Sequence, residues 1–325
     1  MKRIINLILQ DTCLLLRNAL FWVVTVSLLV IILSVRFLIP EDFNTDAQRL
    51  VSWNLNIESP AITSLESEQA VLESVKEEAT VGFIQHGDTI TLVHSGLSAK
   101  AQNALMTALF GKPSGLEIKV RSITESKGRI PENIRLTPVF ICFEALISGF
   151  LMAGVLMLEE KEGKTIKAYR ISPAGTLEYV TAKTILFGII GTVYALLMAV
   201  SIIGFQFRWG GFILLAFVSS SLFTLLGLSL TVFFHDMSSW FSLSVCVLAL
   251  NMLTMVSYSS PSFSPPWIRV IPSWPMLFAF EELMFGMGRG IGGTLLLVLA
   301  ETAVLFILAC FLVRKVLLKS ERRIL

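Results

Sequence analysis

Six long runs of apolar residues alternate with polar stretches along the chain, and the longest polar stretch separates the first run from the second. The runs occupy residues 19–39, 136–158, 184–207, 211–234, 240–258 and 291–313. A helix that rises about 1.5 Å per residue needs about 20 residues to cross a hydrocarbon core about 30 Å thick, and each run meets or nearly meets that length. The pattern predicts an all-α polytopic membrane protein with six transmembrane helices, and residues 184–258 hold the third to the fifth.

The polar stretch at residues 40–135 has the periodicities of a soluble α/β domain. Alternating apolar positions predict strands at 51–57, 80–85, 89–94 and 117–123, and helical spacing predicts helices at 67–78 and 98–110. The order β-α-β-β-α-β matches the ferredoxin-like pattern, so an inserted domain of that kind is expected. His86 and His94 have no cysteine or third histidine nearby, so we predict no metal site there.

The distribution of lysine and arginine predicts the orientation of the chain in the membrane. These residues cluster at 1–18, 159–183 and 314–325, three places that share one side of a six-span chain. The positive-inside rule puts all three in the cytoplasm, with both termini, and it makes the domain at 40–135 extracytoplasmic. The expected location is a bacterial-type inner (plasma) membrane. The first run is long and no cleavage pattern follows it, which favours an uncleaved anchor over a signal peptide.

The net charge and the positions of the cysteines give no reason to predict a nucleic-acid partner, a disulfide framework or a thiolate metal site. The net charge is only +2, which gives no reason to expect nucleic acid as a partner. The cysteines, Cys13, Cys142, Cys246 and Cys310, lie in or beside the apolar runs. A disulfide framework or a thiolate metal site is therefore not predicted.

The segment at 159–183 combines acidic, basic and helix-breaking residues. Acidic residues extend the second helix as far as Gly163, and a short helix then runs to Pro173. On that short helix Ile166 and Tyr169 share one face, and basic residues form a stripe along another. The pattern favours a helix that lies along the membrane surface and meets a partner protein, and an interfacial loop without a partner is the alternative.

This segment resembles the coupling segment of the ABC exporter permease family. The matching positions are Glu160, Glu162, Gly163, Thr165, Ser172, Pro173, Leu177, Glu178, Tyr179 and Lys183. Asp11 and the residues at 14–18 look like the amphipathic connecting helix of that family, and residues 272–275 look like its external proline-containing turn. Lys161 stands where an arginine is common. With the order of one span, an outer domain and five further spans, the resemblance covers essentially the whole chain.

The resemblance implies a membrane-spanning permease subunit of an exporter that is not itself an enzyme. It implies cytoplasmic ABC ATPase subunits as partners, a second permease that is identical or not, and surrounding membrane lipids. ATP and magnesium would bind the ATPase, with no cofactor on this chain. The residues implied in coupling to the ATPase are Glu160, Glu162, Gly163, Thr165, Ile166, Tyr169 and Pro173.

The sequence around Gly163 does not itself form a nucleotide site. Residues 163–165 read like the end of a phosphate loop, but Leu158 stands where such a loop needs its first glycine. An apolar span precedes it instead of a strand. Any ATP hydrolysis is therefore expected from another polypeptide.

Three polar residues inside the runs are candidates for a substrate pathway. Placing a polar or ionisable group within a span costs free energy, so residues of this kind usually have a functional role. The three residues are Glu144, Asn251 and Glu301. A salt bridge between Glu144 and Arg36 is the alternative for the first. Hydrogen bonding between helices is the alternative for Asn251.

Residues 259–290 are rich in proline and aromatic side chains, which excludes a straight span. We predict a partly re-entrant external segment with short helices, in which Glu281 and Glu282 face an exit. Glycines at 286–293 either turn the chain back into the sixth span or allow close helix packing.

Two functions of different classes fit these features. The first is an ABC exporter permease, and the second is a non-transporting membrane sensor or assembly protein that acts through its external domain. Apolar spans specify no ligand, so drugs, lipids, peptides, polysaccharides and ions all remain open as cargo.

Overall fold

The computed structural model describes residues 2–39, 49–55, 62–75, 80–87, 89–94, 117–122, 130–166, 175–259, 263–288 and 290–319. The chain forms two compact units. One comprises Met1–Arg36 and Leu136–Leu325, and the other comprises Phe37–Arg135. We call them the helical unit and the sheet unit.

The helices of both units are numbered in chain order. They are α1 (Lys2–Arg17), α2 (Ala19–Leu33), α3 (Glu68–Ser74), α4 (Glu132–Arg135), α5 (Thr137–Ala145), α6 (Met152–Glu162), α7 (Thr176–Ile203), α8 (Trp209–Thr231), α9 (Met237–Ser259), α10 (Ser273–Phe285) and α11 (Gly292–Lys319). The π-helical segment π1 (Ser34–Leu38) continues α2, and a second one, π2 (Leu146–Leu151), joins α5 to α6. A 3-10 helix covers Pro266–Val270.

Six helical stretches of the described chain are long and apolar enough to cross a membrane. They are Ala19–Leu38, Asn133–Glu162, Thr176–Ile203, Trp209–Thr231, Met237–Ser259 and Gly292–Lys315. The six predicted spans are thereby confirmed. The third stretch begins at Thr176, before the apolar run that starts at residue 184. The polar residues at its start form bonds within the protein, which are described below.

Helix α8 lies at the centre of the helical unit and packs against α5, α6, α7, α10, α11 and π2. Small residues permit this packing. A Cβ on Gly149 would lie 2.6 Å from the Ser220 carbonyl oxygen, and one on Gly227 would collide with the Phe150 carbonyl group. Such close approach of backbones is typical of helices that associate in membranes. In contrast, the spans that contain α2, α9 and α11 bury only 17%, 28% and 17% of their most apolar stretches.

Helix α10 and the preceding 3-10 helix confirm that the proline-rich segment forms short helices. Helix α10 packs against α5, α8, α9 and α11, and the Arg208 N–H at the start of α8 donates to the Leu283 carbonyl at 3.0 Å. Glu281 and Glu282 do not face an exit, because both are buried. Tyr258 donates to Glu281 at 3.1 Å.

The glycines after α10 turn the chain. Gly286 and Gly288 have φ angles of 65° and 82°, which side chains with a Cβ rarely adopt. A Cβ at Gly286, Gly288, Gly290, Gly292 or Gly293 would meet no atom within 4 Å. The structure therefore supports the turning role and not close helix packing at these positions.

The sheet unit contains a five-stranded sheet, and its strand order corrects the ferredoxin-like prediction. The strands are β1 (Arg49–Trp53), β2 (Ile62–Ser64), β3 (Thr80–His86), β4 (Thr89–His94) and β5 (Glu117–Ser122), in the order β2-β1-β3-β4-β5. β3 and β4 form an antiparallel hairpin, and the other neighbours are parallel. β1 and β3 are direct neighbours, whereas a split βαβ pattern places another strand between them.

Helix α3 packs on the neighbouring strands β1 and β3. A Cβ on Gly82 would lie 2.5 Å from Val71 and 2.8 Å from Val75, so the glycine allows α3 to lie directly on β3. Val51 of β1 joins the same apolar cluster. The short helix α3 therefore covers the two adjacent parallel strands β1 and β3. The predicted second helix at 98–110 lies outside the described residues.

Candidate functional site

The end of the helical unit where α6 finishes and α7 starts holds a dense group of charged side chains. We call it the basic end, because Lys161, Lys164 and Lys183 lie there. Helix α1 packs against α7 at this end.

Lys183 is the centre of a buried charge cluster with Asp11, Glu160 and Tyr179. Its side chain is 0% exposed. Its Nζ lies 2.8 Å from Glu160 Oε1 and 3.2 Å from Asp11 Oδ2. Tyr179 donates its hydroxyl to Glu160 Oε2 at 2.5 Å, and the Lys183 ammonium lies 4.8 Å from the centre of the Tyr179 ring. The cluster joins α1, α6 and α7.

The position of each member of the cluster follows from its helix. Asp11 lies between Leu7 and Leu15 on the buried face of α1, each four residues away. Tyr179 and Lys183 are also four residues apart, on one face of α7. Glu160 lies in the last turn of α6. Three helices therefore meet at one ammonium group.

The charges of the cluster do not balance, because a single ammonium group lies beside two carboxyl groups. Burial raises the pKa of Asp11, the nearby Lys183 ammonium opposes that shift, and the Glu160 carboxylate adds to it. Asp11 Oδ1 has no hydrogen-bond partner within the described part of the chain. Buried ion pairs of this kind fix a geometry, because removing one partner leaves an uncompensated charge.

The residues beside Glu160 tie α6 to further helices. Asn18, between α1 and α2, donates its amide to Glu159 at 2.5 Å. Lys161 Nζ donates to three carbonyl oxygens at the end of α8, at 2.7, 3.2 and 2.9 Å, from Thr231, Val232 and Phe234. Carbonyls at a helix C-terminus lack partners within the helix, so an ammonium is well suited to this position. The last turn of α6 thus contacts α1, α7 and α8 through consecutive side chains.

The residues implied in coupling divide into a buried and an exposed group. Glu160 belongs to the buried charge cluster, and Ile166 is also buried. Glu162, Gly163 and Thr165 are exposed, and Thr165 donates its hydroxyl to the Glu160 carbonyl at 3.1 Å. Tyr169 and Pro173 lie outside the described residues.

The candidate pathway residues lie on three different helices, and no hydrogen bond among the described residues joins them. Glu144 is buried on α5, and Glu301 is half-buried on α11. Asn251 is buried on α9 and donates to the Val247 carbonyl of its own helix at 2.9 Å. Hydrogen bonds between α9 and α10 are made instead by the hydroxyls of Thr254 and Ser273, 2.9 Å apart, and by Tyr258 with Glu281.

The salt bridge proposed between Glu144 and Arg36 is wrong. Arg36 donates to the Ser201 carbonyl at 2.8 Å, at the C-terminal end of α7. A helix end offers free carbonyl groups to a cation near it, and this contact needs no buried charge. Both carboxyl oxygens of Glu144 lack a hydrogen-bond partner in the part of the chain that the structure describes.

The contacts of three charged residues of this site were not predicted from the sequence. Asp11 and Lys183 were named only as positions that match the family, and Lys161 was named only as a position that departs from it. One signal could have found Asp11, because a carboxylate on the apolar face of an amphipathic helix requires a buried partner. No comparable local signal identifies the three carbonyl oxygens that Lys161 binds.

Comparison with known proteins gives one match. A family model described as ABC-2 family transporter protein matches residues 21–311. Searches of curated proteins and of solved structures found no match. Among the described residues, no group of three His, Cys, Asp or Glu side chains is placed to hold a metal ion.

Proposed function

Because the chain belongs to the ABC-2 family of transporter proteins, we propose that it is the permease subunit of an ATP-driven exporter, worked by separate cytoplasmic ATPase subunits. The observation that carries the proposal is the buried charge cluster next to an exposed turn at the basic end. The exposed turn offers a surface to a motor, and the cluster connects that surface to the spans.

The contacts at the basic end suggest how force would reach the spans. A partner that pushes on Glu162, Gly163 and Thr165 displaces the last turn of α6. Glu160 passes that displacement to α7 and α1 through Lys183, and Lys161 passes it to α8. Charge-assisted hydrogen bonds in a buried site hold these distances closely, so the helices move as one body. ATP and magnesium act on the partner in this proposal.

The orientation proposed here places the basic end in the cytoplasm of a bacterial-type inner membrane. The basic side chains at the end of α6 and of α11 support it under the positive-inside rule. Both termini are then cytoplasmic, and the sheet unit is extracytoplasmic. Glu144, Asn251 and Glu301 remain proposed pathway residues, and lipid tails would cover the large apolar side chains of α2 and α11.

Reversing the charge of Glu162 is expected to uncouple ATP hydrolysis from transport. Its side chain is exposed, so Glu162→Arg should leave membrane insertion and melting temperature unchanged. A reversed charge at a contact surface typically costs enough to lower transport about tenfold. The measurement is cargo export and ATP hydrolysis in vesicles that hold this chain and the ATPase that co-purifies with it.

Glu73→Arg in the sheet unit is the matched control, because Glu73 is also an exposed acid on a helix. Normal export by the Glu162→Arg protein would remove the exposed turn from the coupling role. Failure of any ATPase to co-purify from native membranes would count against the exporter itself and would favour the sensor or assembly function.

We also propose that a second permease of the same kind binds along α9. Only 28% of the most apolar stretch of α9 is buried in the single chain, and Ser238, Ser242 and Cys246 lie four residues apart on its exposed side. Small residues at this spacing permit close helix approach. Large apolar side chains are also exposed on α9, among them Val245 and Met252, and a partner helix would cover them as well. Two copies would then bury this face of α9 against each other.

Oxidative cross-linking through Cys246 tests the paired arrangement. In membranes treated with copper phenanthroline, a disulfide-linked dimer should form, because Cys246 is exposed on the proposed contact face. The band should disappear in Cys246→Ser and persist in Cys13→Ser, which removes another exposed cysteine. A band that persists in Cys246→Ser would place the contact elsewhere.

A further inference from the structure

Residues 232–236, which we call the α8–α9 turn, present the aromatic ring of Phe233 to the outside of the protein. Phe233 is 63% exposed. A single exposed apolar side chain is ordinary on a protein surface, so exposure alone assigns it no role. What distinguishes Phe233 is the turn that carries it, because that turn is held in place at three points.

The first point is the Lys161 ammonium at the end of α6. Its Nζ donates to the carbonyl oxygens of Thr231, Val232 and Phe234. An ammonium has three N–H donors, and these three bonds use all of them. The acceptors lie before and after Phe233 in the chain, so one side chain fixes the backbone on both sides of the exposed ring.

Phe234 and Asp236 provide the other two points. The ring of Phe234 packs edge to face on the fully buried ring of Trp240, with 5.9 Å between the ring centres. Asp236 caps the start of α9, where its carboxylate accepts from the Ser239 backbone N–H at 2.8 Å and from the Ser239 hydroxyl at 2.9 Å. Phe234 therefore anchors the turn inside the protein, and Phe233 is left on the outside.

Phe233 lies at the level of the exposed charged residues of the basic end. Lys161 directly precedes Glu162 of the exposed turn, so its bonds place the two turns about one lysine side chain apart. His235 and Asp236, which follow in the α8–α9 turn, are exposed, as is Glu162. Exposed charges avoid the hydrocarbon core of a membrane. The ring is therefore placed beside water-exposed charges and not among lipid tails.

We propose that the α8–α9 turn is a second docking surface for the ATPase partner, with Phe233 as its apolar anchor. This inference rests on the proposed function, in which the same partner contacts Glu162, Gly163 and Thr165. Protein interfaces are enriched in aromatic residues, and their strongest contacts are side chains that fill a pocket and are ringed by polar groups. The partner surface therefore combines an apolar pocket for the ring with polar groups around it.

The rigidity of the α8–α9 turn suits it to docking. A ring that is already held in position loses little conformational entropy when a partner binds it. Lys161 lies in the last turn of α6, so both docking surfaces share one support. A partner that grips the two turns holds the ends of α6 and α8 at the same time.

Phe233→Ser tests the anchor in the detergent-solubilised full chain. The probe is the ATPase subunit that co-purifies with the chain, which is separated from it and then titrated back. Its binding should weaken about 20-fold, the effect of no longer burying one phenylalanine side chain. The melting temperature of the chain should not change, because the Phe233 ring lies outside the interior.

Phe205→Ser is the matched control. Phe205 is 72% exposed and lies before the first residue of α8, at the opposite end of that helix from Phe233. This variant should bind the ATPase as tightly as the wild type does. A contact that depends only on exposed aromatic surface would be weakened equally by both substitutions.

Photo-cross-linking identifies what covers the ring in the membrane. A photoreactive benzoylphenylalanine in place of Phe233 should form a covalent adduct with the ATPase on irradiation, and the same residue in place of Phe205 should not. Adducts at position 233 that contain only lipid or a second copy of the chain would overturn the proposal. Equal ATPase affinity of the wild type and Phe233→Ser would also overturn it, while the exporter function stands. If no ATPase co-purifies with the wild type, the exporter function fails and this inference fails with it.

Discussion

Lys183→Met is expected to destabilise the helical unit by about 3–5 kcal/mol, the usual cost of removing one partner from a buried ion pair. The substitution leaves Asp11 and Glu160 buried beside each other without the ammonium that lies 3.2 and 2.8 Å from them. Melting of the detergent-solubilised protein should occur at lower temperature. Limited proteolysis should cut α1 faster, because Lys183 is its polar anchor on α7.

The destabilisation should shrink as the pH falls. Burial already raises the pKa of Asp11 above its ordinary value of 3.8, and removing Lys183 takes away the attraction that opposes that shift. A raised native pKa means that the folded state binds more protons than the unfolded state. The free energy of unfolding then increases as the pH falls from the native pKa of Asp11 towards 3.8.

Lys164→Met is the matched control, since Lys164 is an exposed lysine of the same end. Surface charges of this kind contribute little to stability. Equal melting temperatures for the two variants would show that the buried charge cluster does not hold α1, α6 and α7 together.

Gly227→Val is expected to disrupt the packing at the centre of the helical unit. A Cβ at this position collides with the Phe150 carbonyl, which belongs to the backbone of π2 and cannot rotate away as a side chain can. Forcing extra atoms into a well-packed interior costs about 3 kcal/mol at the upper end of the usual range. Size-exclusion chromatography should show a smaller monodisperse fraction, and the melting temperature should fall.

Gly210→Val tests whether the effect is one of packing. Gly210 lies on the same helix, α8, but a Cβ there meets no atom within 4 Å. The control variant should behave as the wild type. If both variants lose stability equally, the cause is valine in the helix and not the contact with Phe150.

Several features of the fold and the family could be predicted before any contact was known. The six spans are confirmed, and the family match agrees with the resemblance of residues 159–183 to a permease coupling segment. The strands β3 and β4 were also predicted correctly, because they are consecutive in the chain and the turn that joins them is local. Features of this kind depend on residues that are close in sequence.

Other features could not be predicted, because they depend on residues that are far apart in sequence. Asp11 and Lys183 meet only when α1 lies on α7, and Arg36 binds a backbone carbonyl at the end of another helix. The contact of α3 with β3 depends on Gly82, where the missing side chain makes room for the helix. Neither helix docking nor close backbone approach leaves a periodic signal.

The hydropathy and length of the apolar runs were sufficient to establish a six-span membrane protein, since transfer into lipid depends on local composition. The partners of the buried charges were decided only by helix packing. Lys183, Glu144 and Glu281 are all ionisable groups near or within spans, yet one forms an ion pair, one has an unbonded carboxyl and one accepts a tyrosine hydroxyl. The environment of an ionisable side chain is a property of the neighbours that surround it in space, and these are set by the tertiary structure.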